Sequence, residues 1–231
     1  MLVVALDTSS RHGSCALAVD GDVRVVLASD PALPQAARLP ADLQLLLARA
    51  DVRLEDVDVF AVAVGPGSFT GLRVGIATMQ GLAFAGGRPL IGVSALDALA
   101  AIAREATTIA PASRTATWID AWRGEVYAAV YDGTREVEPV SVETPERVLA
   151  RLADGAFFIG DAIPLRRDLI AERLGDRARF ASDPAPLLAG AIARLAHAAA
   201  LAGERPAPDA IRPLYVRRPD AEIARDAHAR R

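Results

Sequence analysis

The chain has no lysine: all 26 of the basic residues among its 231 are arginine. Chemistry that needs a lysine amine is therefore unavailable, whether a Schiff base, a lysine general base or the lysine of a phosphate-binding P-loop. Compositional bias of the coding sequence accounts for this without a chemical reason. Cysteine is almost as scarce. With Cys15 alone, no internal disulfide can form, and the chain suits a reducing compartment. The three histidines, His12, His197 and His228, are too far apart in sequence to form a short-spaced metal-ligand pair. A formal net charge of −3 gives no general pull toward nucleic acid. No apolar run approaches the ~20 residues of a membrane span. The opening "MLVVALDTSS" lacks a basic leader and meets Asp7 early, unlike a signal peptide. A cytoplasmic protein without a membrane contact is expected.

What is present is a folded composition, 52% hydrophobic and 24% charged, built mostly from Ala, Val and Leu. "LVVAL" (2–6) reads as a buried strand ending at Asp7. Two strands joined at Asp20-Gly21-Asp22 follow, since Gly beside Asp is hairpin chemistry. A helix covers 35–50, with Leu39, Leu43, Leu46 and Ala50 at helical spacing and Pro40 marking its expected start. "VDVFAVAV" (57–64) is a buried strand, followed by a glycine-rich loop and a helix from about Phe69 to Ala85. A strand at 89–93 then leads to a helix that Ser94 can cap.

The second half repeats this plan. "ALDTSSRHGSCALAVDGDVRVV" and "WIDAWRGEVYAAVYDGTREVEP" each run from an apolar strand ending in Asp, through a tight turn, to two further strands joined at Asp-Gly. Asp7 aligns with Asp120, and Gly21 with Gly133. A duplicated α/β unit is expected, with lobes over 1–105 and 106–218 facing a cleft. A helix capped at Thr144, a strand "AFFIGD" and two more helices complete the second lobe. The apolar "PLYV" (213–216) is expected to dock on the body, and an arginine-rich tail, 219–231, to be solvated.

"VGPGSFTGLRVGIATMQGLAFAGG" (64–87) holds seven of the seventeen glycines. It is not a P-loop, for want of lysine, nor a dinucleotide fingerprint, because Thr70 stands where the third glycine belongs. Its helix carries Gly71, Gly75, Thr78, Leu82 and Ala85 three or four residues apart, a stripe with very little side chain. Each interior glycine costs ~1 kcal/mol relative to Ala, so close approach of a neighbour must compensate. Leu45, Leu46 and Leu47 in succession also make the preceding helix apolar beyond one core face. Packing inside the domain and packing on another chain are both open on these grounds.

The motif Gly65-Pro66-Gly67-Ser68-Phe69-Thr70-Gly71, continuing through Arg73, joins "LDTSS", "GVSALDALA" and "IDAWRGEVYAAVYD" in a specific pattern. Together they resemble the bacterial TsaB family, formerly YeaZ, with motifs over residues 1–133 and a shared layout to about 216. The resemblance implies an actin/sugar-kinase/Hsp70-like fold of two duplicated lobes. It implies a non-catalytic subunit in the synthesis of threonylcarbamoyladenosine beside the tRNA anticodon. The partners would be the TsaD transferase, which uses an adenylate intermediate, and the TsaE ATPase, with tRNA bound through the complex; the small-residue face separately suggests a homodimer as a substitute when the chain is alone. The pairing would use the helices at 35–50 and 69–86, with Leu39, Leu43, Leu46, Gly71, Gly75, Thr78 and Leu82 as contact residues, which favours the interchain alternative.

The paralogue's metal signature, H-x-x-x-H, is replaced here by Gln35-Ala36-Ala37-Arg38-Leu39, so no metal is expected. Asp7, Thr8, Ser9 and Asp120 form a candidate vestigial phosphate site, because kinases of this fold place aspartates there. An ATP-dependent small-molecule kinase is the alternative function. Without lysine or an adenine-side glycine pattern, no cofactor is expected on this chain alone. Peptidase activity finds no support, since no H-E-x-x-H occurs and nothing marks a histidine partner for Ser68.

Overall fold

The structure, a computed structural model, describes residues 1–10, 12–106 and 114–217. The tail 219–231 and His228 lie outside the described residues. The first half runs β1 (Leu2–Asp7), β2 (Ser14–Val19), β3 (Asp22–Ala28), α1 (Gln35–Ala50), β4 (Val59–Gly65), α2 (Phe69–Gly86), β5 (Leu90–Ser94) and α3 (Ala95–Ala106). The second runs β6 (Thr115–Asp120), β7 (Val126–Asp132), β8 (Arg135–Glu143), α4 (Pro145–Ala150), β9 (Ala156–Ile159), α5 (Ile163–Leu174), β10 (Ala178–Phe180) and α6 (Ala189–Leu201).

Each half forms a five-stranded sheet of the same design, ordered β3-β2-β1-β4-β5 and β8-β7-β6-β9-β10. The first three strands are antiparallel and the last two join in parallel. The repeat holds in register: Asp7 closes the β1–β2 ladder opposite Ser14, and Asp120 closes the β6–β7 ladder opposite Val126. The β2–β3 turn uses left-handed backbone at Asp20 (φ 51°) and Gly21 (φ 86°), the conformation a tight hairpin demands.

Three apolar layers result. The outer face of the first sheet packs on α1 and α2, and that of the second on α4 and α5. Between the sheets, α6 lies across β1, β2 and β4 of the first, while α3 lies on β6 of the second and against α6. The helix closing each repeat therefore covers the other repeat's sheet, and the two halves share one core. That core is rich in alanine, so helices and sheets approach closely without aromatic filler. Among the described residues no helix is long and apolar enough to cross a membrane.

Two local expectations need correction. Pro40 does not start α1; the helix begins at Gln35 and Pro40 lies inside it. An interior proline costs ~3 kcal/mol. Contacts ahead of it offset that cost: Leu39 is buried in the core, and the Gln35 side-chain amide donates to the carbonyls of Thr8 (3.1 Å) and Ser10 (3.2 Å). Thr144 stands at the N-cap of α4, but its side chain makes no capping bond; Pro145 holds the first turn instead. Ser94 does cap α3, accepting from the amides of Leu96 (3.2 Å) and Asp97 (3.4 Å).

Candidate functional site

The glycine string and "DTSS" are two sides of one contact. Gly67, Gly71 and Gly75, four residues apart, all face Thr8 and Ser9 at the end of β1. A Cβ at Gly67, whose φ is +155°, would lie 2.8 Å from the Ser9 Cβ. One at Gly71 would fall on the Thr8 carbonyl, and one at Gly75 on the Thr8 hydroxyl. The Ser68 amide donates to the Ser9 carbonyl (2.7 Å), and the Ser68 hydroxyl caps α2 by accepting from the Gly71 amide (3.2 Å). Gln35 binds the same Thr8–Ser10 segment. Glycine is needed here because the Ser9 and Thr8 carbonyls at Gly67 and Gly71, and the Thr8 side chain at Gly75, occupy the space of a side chain.

Leu39, Leu43, Leu46, Gly71 and Gly75, expected on a contact surface, therefore lie buried inside the first half. Thr78 and Leu82 are half-buried. Gly65, Pro66 and Gly71 of the motif are buried, Gly67 and Ser68 half-buried, and Phe69, Thr70 and Arg73 exposed.

Thr8 and Ser9 also set the position of Asp7. Its buried carboxylate accepts from the Ser9 amide (2.8 Å) and the Ser9 hydroxyl (2.5 Å). Across the cleft, Asp161 at the end of β9 accepts from the Asp120 amide (2.9 Å). Asp7, Ser9, His12 and Asp161 line a cavity of about 40 Å³, the room of a few water molecules. Asp120 sits beside it, and its carboxylate accepts from the Trp122 amide at 3.3 Å. Thr8 is turned the other way, toward α2. Of the candidate phosphate residues, the structure thus brings Asp7, Ser9 and Asp120 near one another and adds Asp161, which the sequence reading passed over. Its signal was present in the repeat: "IGD" follows β9 where "VGPG" follows β4. Among the described residues, no group of three or more His, Cys, Asp or Glu converges to hold a metal.

Burial raises the Asp7 carboxyl above the ordinary carboxylate range, against the opposing hydrogen bonds from Ser9 and Ser10. Burial raises Asp161 as well, with Asp120 and Asp7 adding repulsion. A raised acid keeps its proton longer folded than unfolded. These groups therefore favour folding at low pH, and that contribution is lost as pH rises from about 4, the unfolded value, through the folded one. Asp7→Asn, which keeps an acceptor for Ser9, is expected to raise the urea midpoint at pH 7 and to leave it unchanged below about pH 4. A midpoint lowered at pH 7 would mean that the bonds to the ionised carboxylate outweigh its desolvation.

The outward sides of α1 and α2 are a different surface. On α1, Ala37, Ala41, Gln44, Leu45 and Ala48 are exposed; on α2, Thr70, Ala77, Gly81, Phe84 and Ala85 are exposed, with Val74 half-covered. Both rows are small side chains at helical spacing, flanked by Leu45 (46% exposed) and Phe84 (82% exposed). Gly81 differs from the other glycines of the helix interior: a Cβ there would meet nothing within 4 Å. Among the described residues no contact offsets its ~1 kcal/mol helical cost. Gly81→Ala is expected to stabilise the isolated chain by ~1 kcal/mol in denaturant unfolding. No gain would mean that something in the chain needs the glycine. The stripe expected to be bare, Gly71 and Gly75, thus faces inward, and the exposed row of the same helix runs through Ala77 and Gly81.

The segment after α6 closes the other flank of α2. The Gln80 amide donates to the carbonyls of Pro208 (2.9 Å) and Ile211 (3.1 Å), and the Leu214 amide to the Val64 carbonyl (2.7 Å). The docking expected of "PLYV" is thus seen.

A twofold-repeated sheet with exchanged closing helices and a central cleft is the actin/sugar-kinase/Hsp70-like fold. A family model described as "TsaD: tRNA N6-adenosine threonylcarbamoyltransferase" matches residues 35–225. The chain is 39% identical over 131 residues to the tRNA threonylcarbamoyladenosine biosynthesis protein TsaB of Escherichia coli, in an alignment covering 57% of this chain and 55% of that one. The chain thus spans about half the length of that relative. To the Haemophilus influenzae TsaB it is 32% identical, over 69% of this chain and 72% of that one. The solved structure of YeaZ from Pseudomonas aeruginosa superposes with a TM-score of 0.76 at 33% identity, covering 93% of this chain and 99% of the other. The chain carries a TsaD-type domain and belongs to the TsaB (YeaZ) family.

Proposed function

We propose that this chain is a subunit of the machinery that makes threonylcarbamoyladenosine in tRNA, acting in the cytoplasm as a binding partner without bond-making chemistry of its own. Its two lobes, 1–105 and 106–218, act as one body. Its partner is a TsaD-type transferase, with a TsaE-type ATPase joining the pair and tRNA bound through the complex. The observation that carries this reading, beyond family membership, is the outward α1–α2 face centred on Gly81. It is a largely apolar surface of mostly small side chains, with a helix-weakening glycine that no contact among the described residues explains. Of the residues first assigned to the contact, Thr78 and Leu82 remain at its edge.

Mixing the chain with the TsaD-type protein of the same source at micromolar concentration is expected to give a single co-eluting species by light scattering. Depleting the chain is expected to remove threonylcarbamoyladenosine from tRNA nucleosides. Separate elution, or intact modification after depletion, contradicts the proposal. When no partner is present, the same face is expected to pair with a second copy, which a monomeric sedimentation profile would refute.

A second reading, an ATP-dependent small-molecule kinase, draws on the buried carboxylate of Asp7 and the half-buried one of Asp161 in the cleft. Calorimetric titration with Mg-ATP separates the two. Heat that disappears in Asp7→Ala favours the kinase, and no heat at millimolar ATP removes it.

A further inference from the structure

Three of the exposed aromatic side chains, on three separate segments, form one rim: Phe69 and Tyr215 are in ring contact, and Arg217, two residues past Tyr215, is bonded to the turn that carries Trp122. Phe69 comes from the start of α2, Tyr215 from the segment after α6, and Trp122 from the β6–β7 turn. Phe69 and Tyr215 lie 5.2 Å apart between ring centroids, and the Arg73 guanidinium stacks 4.6 Å over the Phe69 ring. Arg217 ties the third segment to the other two: it donates to the Ala121 carbonyl (2.7 Å) and pairs with Glu125, the two residues flanking the turn. Trp122 is 57% exposed.

The turn itself holds Trp122 outward. Trp122 (φ 53°) and Arg123 (φ 54°) are consecutive non-glycine residues in the left-handed region, where single bulky residues are already uncommon. The Asp120 carboxylate on the Trp122 amide (3.3 Å) and the Glu125 amide on the Trp122 carbonyl (3.0 Å) fix that conformation. A strained turn that displays an indole to solvent points to a contact outside the chain.

We infer that this rim contacts RNA directly, stacking unpaired bases of tRNA on Trp122, Phe69 and Tyr215 while Arg73 meets the backbone. The chemistry fits single-stranded RNA. Aromatic faces accept any splayed-out base, and guanidinium groups add stacking and phosphate contacts. Regular duplex RNA offers no unstacked base to such a surface. The overall charge is negative, but of the acids beside the turn Glu125 is engaged by Arg217 and Asp120 by the Trp122 amide. The identity of the RNA rests on the function proposed above; the stacking chemistry does not.

The test uses the complex with the TsaD-type partner and a fluorescently labelled, unmodified tRNA transcript, read by anisotropy. Trp122→Ala and Tyr215→Ala are each expected to weaken tRNA binding on the order of tenfold. Trp122→Phe and Tyr215→Phe are expected to retain it, assembly with the partner to be unchanged, and affinity to fall as salt rises. Unchanged tRNA affinity in the alanine variants overturns the inference. So does loss of partner assembly with RNA binding intact, which would make the rim a protein contact. Should no complex form with the wild-type chain, the functional reading fails by itself. The lone chain then decides the question, because Trp118 is buried and Trp122 is its only exposed indole. Fluorescence quenching by a single-stranded oligonucleotide that Trp122→Ala removes supports the inference, and no quenching overturns it.

Discussion

Gly75→Leu is expected to unfold the first half of the chain. A Cβ at this position already coincides with the Thr8 hydroxyl, and it would lie 3.0 Å from the Thr8 Cγ2. Thr8 cannot retreat, because its carbonyl accepts from Gln35 and the next residue's amide binds Asp7. Overpacking a rigid core site costs about 3 kcal/mol or more. That is a large part of the 5–15 kcal/mol stability of an ordinary domain. Gly75→Ala tests the cause with less disruption. It gains ~1 kcal/mol of helix propensity yet is expected to lower the denaturant midpoint, the opposite sign to Gly81→Ala one and a half turns on. Thr8→Ala removes the obstructing hydroxyl, a buried oxygen with no hydrogen-bond partner among the described residues, and is expected to rescue Gly75→Ala in part. Equal midpoints for Gly75→Ala and the native chain would refute the packing described.

Gly81→Trp is expected to have the converse effect. None of the described residues occupies the space beside Gly81, so the isolated variant should melt no lower than the native protein. Its affinity for the TsaD-type partner should drop at least about a hundredfold, or about 2.7 kcal/mol. An indole would prop apart the rows of Ala, Thr and Gly that let two helices approach. Gly75→Leu would lose the partner only by losing the fold, so the two variants separate a surface from a core. Full partner affinity in Gly81→Trp would move the contact elsewhere.

The sequence revealed much of this architecture. "LVVAL" ending in Asp and its echo in "TATWID" disclosed the duplication, because a buried strand needs a continuous apolar run and the repeat fixes where it ends. The exchange of α3 and α6 between sheets was not legible. Both are alanine-rich all round, and such a pattern says that a helix is enclosed without saying by which sheet. The glycine stripe shows the same limit. Spacing placed Gly71 and Gly75 on one side of α2, but only coordinates show that Thr8 and Ser9 fill the space against them. Gly81 falls outside that stripe and for that reason drew no notice. Asp161 is likewise distant from Asp7 in sequence, and only the meeting of the two sheets makes it a neighbour of the same cleft.

Hydroxyl-radical footprinting of the chain with and without its TsaD-type partner tests the outward helix face most directly, since it needs no substitution. Phe84 and Leu45 should become protected in the complex, while Leu165 and Leu201, exposed elsewhere on the surface, should react as before. Unchanged reactivity at Phe84 and Leu45 in a complex shown to have formed would contradict the assignment of that face to the partner.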